Sequence, residues 1–143
     1  MTKYHEIGSR LQSVMAWGIV AVGLLHCFMT PVRYKALSES ALWFFSAGLA
    51  LLYAGAFNLL LLRYGGSAPG LRGVCIGVNL SMLCFVLVYA GRNLGRALHD
   101  PGSILLILLV AGLTVFSLFG TYRAPLQGAV GTKRTARSEK GPW

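Results

Sequence analysis

Residues 42–62 read LWFFSAGLALLYAGAFNLLLL, an unbroken run without a single Lys, Arg, Asp or Glu. A helix rising about 1.5 Å per residue crosses a hydrocarbon layer of about 30 Å in roughly 20 residues, so this stretch is long enough to span one. Three further runs of the same character lie around it, at 13–29, 73–90 and 103–122, and they too lack Lys, Arg, Asp and Glu. The expected fold is therefore all-α: an integral membrane four-helix bundle with antiparallel up-down topology.

The chain has 143 residues and is 55% hydrophobic, yet it carries a formal charge of +9. All of that charge falls outside the four runs, which makes it a topology signal before it is a nucleic-acid signal. Lys3 and Arg10 precede the first run, Arg63 and Arg72 lie between the second and third, and Arg123, Lys133, Arg134, Arg137 and Lys140 follow the last. Only Arg33, Lys35, Arg92 and Arg96 occupy the other side. Nine positives against four place both termini in the cytoplasm, and the expected location is a bacterial inner membrane. Residues 1–123 form the transmembrane domain on this reading. Residues 124–143, rich in Gly, Ser, Thr and Lys/Arg, read as a basic disordered cytoplasmic tail.

The first run is read as a retained span. It is longer than the usual h-region of about 7–15 residues, and no A-x-A-like site follows it before Thr30-Pro31. Leu24-Leu25-His26-Cys27 places a histidine where a lipoprotein cleavage box wants a small residue. Thr30-Pro31 is the expected end of the first helix, because proline lacks an amide donor. Ser38-Glu39 offers a capping hydroxyl and a first-turn carboxylate to the second helix. The Gly65–Gly70 cluster is a breaker that makes the second and third helices neighbours. Pro101-Gly102 stops the chain after the third span, and Ser103 is the expected cap of the fourth. Residues 2–12 read as a short interfacial helix.

In lipid, helices associate through small residues and interhelical hydrogen bonds. Ser46, Ala50 and Ala54 are expected to pack on Gly73, Gly77 and Ser81, with Thr114, Ser117 and Thr121 facing inward from the last span. Asn58 and Asn79, the most polar residues within spans, form the expected intramembrane pair. A ligand site is expected at the opposite end. His26, the only span-embedded histidine, would there meet Tyr34 and Glu39 of the first connector and Arg92, Asn93, Arg96, His99 and Asp100 after the third span.

The sequence predicts no cofactor and no metal site: His26 and His99 lie on different segments and no ligand spacing connects them. Cys27, Cys75 and Cys84 form no C-x-x-C and read as packing residues. No acidic residue lies inside a span, as a proton-coupled exporter would require, and no hydrolase, zincin or nucleotide-binding motif occurs. The leading expectation is a non-enzymatic accessory, scaffold or binding subunit. Its expected partners are membrane lipids and a homo-oligomer or larger membrane complex, with no nucleic acid. A small oligomeric transporter or channel is the alternative, and a membrane-embedded enzyme or redox subunit using His26 and the outer Arg/His group is a third.

Overall fold

The computed structural model describes residues 2–92, 94–120 and 122, except the side chains of residues 2–5 and 96. The tail expected to be disordered, and Thr121, lie outside the described residues. Five helices follow one another: α1 (Thr2–Arg33), α2 (Glu39–Tyr64), α3 (Pro69–Arg92), α4 (Leu94–His99) and α5 (Pro101–Phe119). Among the described residues there is no strand. The four long helices are each long and apolar enough to cross a membrane.

Local chemistry explains the helix ends, two of them differently from the sequence expectation. Ser38 Oγ accepts the Ala41 amide at 3.2 Å and Glu39 occupies the first turn, so α2 starts where expected. At α5 the cap is Asp100, whose Oδ2 accepts the Ser103 amide at 2.9 Å and the Ser103 hydroxyl at 2.6 Å. Ser103 is thus the capped residue and not the cap. An aspartate followed by proline suits this position, since Pro101 lacks a donor that would be orphaned anyway and the carboxylate faces the positive end of the helix dipole. Pro31 does not end α1, which continues to Arg33. Thr30 Oγ1, just before the proline, donates back to His26 O at 2.8 Å, an i−4 bond within the same turn of helix. Residues 2–12 are no separate interfacial helix, because α1 is continuous from Thr2.

Among the long helices, α1 packs on α2, α2 on α3, α3 on α5 and α5 on α1, with the α1–α2 contact the most extensive. Short α4 sits against α3 and α5. The α1–α2 seam is built from small residues seven apart. A Cβ on Gly23 would stand 2.8 Å from Gly48 O, and one on Gly55 would stand 2.9 Å from Ala16 O. Backbone therefore meets backbone at two levels, and a seven-residue interval keeps both levels on one seam. This overturns the expectation that α2 and α3 make the close contact. Gly73 and Gly77 look onto open space, Ser81 is exposed, and Ser46 returns its hydroxyl to Leu42 O at 2.8 Å. The i+4 stripe on α3 is small but unopposed, whereas the period-seven pairs find each other.

Ala16, Ile19, Leu51, Ala54, Val110 and Leu113 form the buried apolar core. One third or less of each span's most apolar window is buried. Val14, Trp17, Phe28, Tyr53, Val88 and Leu108 all point outward. Polar groups take the opposite place: Gln12, Asn58, Asn79, Thr114 and Ser117 are all buried. Large apolar side chains outside and bonded polar ones inside suit a solvent that is itself apolar.

Candidate functional site

Two polar assemblies lie at different levels of the helices. The inner one is built on Asn58 of α2 and Asn79 of α3. Asn58 Nδ2 donates to Asn79 Oδ1 at 2.8 Å and to Ala54 O at 2.8 Å, while Asn79 Nδ2 donates to Asn58 Oδ1 at 3.1 Å and to Leu113 O at 3.2 Å. The two backbone carbonyls can only accept, so both amide nitrogens must face them, and this fixes the orientation of each side chain. All four amide hydrogens then have acceptors. Thr114 Oγ1 donates to Val110 O at 2.8 Å, and Ser117 Oγ to Thr114 O at 2.9 Å. Cys75, a buried free thiol, donates to Phe57 O at 3.2 Å.

Near this level three residues tie the helix ends together. Arg72, in the first turn of α3, donates from Nε to Ser117 O at 3.1 Å and from Nη2 to Leu118 O, closing the carbonyl end of α5 with a cation where the helix dipole is negative. Gln12 of α1 donates from Nε2 to the Tyr122 hydroxyl at 2.9 Å, and that hydroxyl lies 2.9 Å from Phe116 O, within donating reach. In the sequence Tyr122 reads as an aromatic-belt residue. A lone amide at position 12, just ahead of an apolar run, was the available signal for a buried partner.

The second assembly lies at the other end, where α1 finishes and α2 begins. The His26 ring stacks on Phe44 with centroids 4.6 Å apart, and the Tyr34 ring tilts against the same Phe44 at 5.9 Å. His26 Nδ1 lies 3.1 Å from Val22 O, which holds the imidazole against its own helix. In front of this stack opens a groove of about 520 Å³ lined by Met29, Val32, Arg33, Tyr34, Phe44 and Tyr89. Tyr34 thus lines the groove directly, and His26 backs the Phe44 wall. Phe44, Met29 and Val32 carried no sequence signal beyond apolarity, since a groove wall and a lipid-facing residue have the same composition.

The remaining expected site residues are not gathered there by any hydrogen bond or ion pair among the described residues. Glu39 Oε1 accepts the Trp43 indole N–H at 3.4 Å on its own helix. Arg92 ends α3 and is exposed. His99 Nδ1 lies 2.7 Å from Gly95 O within α4. Asp100 caps α5, and the Ser103 hydroxyl and amide hold its carboxyl below the usual carboxylate range. Asn93 and the Arg96 side chain lie outside the described residues. The expected cluster therefore divides into the groove group on α1–α2 and a capping group on α4–α5. Among the described residues no set of three or more His, Cys, Asp or Glu side chains converges as metal ligands would.

Comparison of the chain with protein-family models, with curated proteins and with solved structures finds no match. The site has to be read from its own geometry.

Proposed function

We propose that this chain is an integral protein of a bacterial inner membrane, its four long helices crossing in alternating directions as one bundle with both termini in the cytoplasm. It works by binding, as an accessory or scaffold subunit. The inside-out distribution of polarity supports the membrane reading, and the nine-to-four charge bias supports the orientation. The observation that carries the binding reading is the aromatic groove at the end of α1, open to the outside and lined by five residues of three helices together with Tyr34 of the connector. A solute path past Asn58 and Asn79 would need free amide hydrogens, and those hydrogens already have acceptors within the protein.

Reporter fusions at Trp143 and within residues 31–40 test the arrangement. A cytoplasmic reporter at Trp143 and an external one in the connector are expected. An external signal at Trp143 overturns the orientation, and signals on the same side from both fusions overturn the number of crossings. For the binding reading, native mass spectrometry of protein purified in mild detergent should show retained small molecules or partner subunits. Bare monomer under conditions that preserve the fold would refute it.

A further inference from the structure

We infer that the groove between α1, α2 and α3 is a binding site for one acidic phospholipid of the surrounding bilayer, with the headgroup phosphate held by Arg33 and the upper acyl chain laid along Phe44, Tyr89 and Met29. This rests on the reading that the four long helices cross a membrane. Position is the first argument. Met29 and Arg33 lie in the last turns of α1, Phe44 in the second turn of α2 and Tyr89 in the last turn of α3, so the groove stands within about 8 Å of the helix ends at 1.5 Å per residue. Phospholipid phosphates and upper chains meet at that level of a bilayer. Its volume, about 520 Å³, falls within the range of pockets that enclose small ligands, about 300–1,000 Å³.

Charge decides which lipid. The acidic side chains of the described residues are all engaged elsewhere: Glu6 with Arg10 at 3.0 Å, Glu39 with the Trp43 indole, Asp100 with Ser103. Arg33 therefore enters the groove wall as a cation with no carboxylate against it. A guanidinium presents a planar fork that fits a phosphate with two parallel hydrogen bonds. No carboxylate lines the groove to meet the ammonium of a zwitterionic headgroup, so an acidic headgroup complements it better. The wall is also preformed. Phe44 is in ring contact with His26 at 4.6 Å and with Tyr34 at 5.9 Å, so a chain laid against it does not have to order it first.

The test uses the full-length chain, delipidated in mild detergent, offered equal amounts of dioleoylphosphatidylglycerol and dioleoylphosphatidylcholine, and read by native mass spectrometry. One phosphatidylglycerol should be retained, preferred about five-fold over phosphatidylcholine, the effect of one basic residue beside an anionic lipid. Arg33→Gln should remove the preference. Val32→Trp, at a side chain 71% exposed on the groove wall, should block retention of both lipids while leaving the thermal midpoint in place. The tail is a rival anion site, so Lys133→Gln, Arg134→Gln and Arg137→Gln made together should leave the preference intact. A preference that survives Arg33→Gln, or that is lost in the tail variant alone, overturns the proposal. Displacement of the lipid by excess inorganic phosphate would reveal a bare anion site and overturn it as well. The reporter fusions keep their pattern if only the lipid site fails, which separates this failure from failure of the membrane reading.

Discussion

Asn79 has two amide hydrogens, and each has an acceptor on a different helix, Asn58 on α2 and Leu113 O on α5. Replacing it with alanine leaves the buried Asn58 side chain short of one donor and one acceptor. An unsatisfied buried group of this kind costs about 1–3 kcal/mol, more than the ~0.6 kcal/mol average of interhelical side-chain bonds in membranes. Asn79→Ala should therefore lower the unfolding free energy measured in mixed detergent by about that larger amount. Asn58→Leu combined with Asn79→Leu should be less harmful than the single change, because nothing polar is then stranded. A double variant at least as unstable as the single one would mean that shape, and not hydrogen bonding, governs the site. At the α4–α5 junction the relevant residue titrates. Ser103 holds the Asp100 carboxyl below its unfolded value, so its contribution is complete above that unfolded value, about 4, and is lost as pH falls through the lower folded one. The protection factor of the Ser103 amide in hydrogen exchange should decline on acidification below about pH 4. Asp100→Asn should flatten that dependence. Constant protection in the unaltered chain would show that the cap does not hold the start of α5.

Each of the four long helices was legible in the sequence because length and apolarity are local properties: 42–62 announces a span whatever it packs against. Partnership between helices was legible only in part. Ser46, Ala50, Ala54 on one side and Gly73, Gly77, Ser81 on the other have the spacing of a contact face, yet a face says nothing about which helix will oppose it. The structure pairs α1 with α2 through Ala16, Gly23, Gly48 and Gly55, whose interval is seven. The two glycine sets should respond in opposite ways. Gly23→Ala places a Cβ 2.8 Å from Gly48 O and 2.9 Å from Leu52 N, and backbone atoms cannot swing aside, so a loss of about 1–3 kcal/mol is expected. Gly77→Ala meets open space and removes a poor helix former, so stability should be unchanged or rise by up to about 1 kcal/mol. Equal destabilisation by the two changes would mean that the Gly77 face of α3 is packed and does not look onto open space.

At the scale of the molecule, contacts distant in sequence close the circuit of helices. Arg72 reaches the last carbonyls of α5, and Gln12 reaches Tyr122. Arg72→Gln removes charge-assisted bonds of about 1.5–3 kcal/mol and should lower the thermal midpoint in detergent, whereas exposed Arg63→Gln should not. Equal midpoints for both would show that the α3–α5 closure does not depend on the guanidinium. Of the candidate site, His26 was readable because an ionisable ring inside an apolar run is conspicuous, and Tyr34 because it sits in the short connector beside it. The walls Phe44, Met29 and Val32 were not, since the same residues serve a groove or a lipid-facing surface. The expected cluster also assumed that one end of the molecule means one site, and the local capping roles of His99 and Asp100 divide it. The glycine seam bears on the order of assembly as well. Both halves of the seam, and the whole of α2, have left the ribosome once Tyr64 has emerged, while Asn79 and the whole of α5 have yet to emerge. The first two helices have all their mutual contacts available at that moment, and the later ones arrive as additions to a pair that can already be closed.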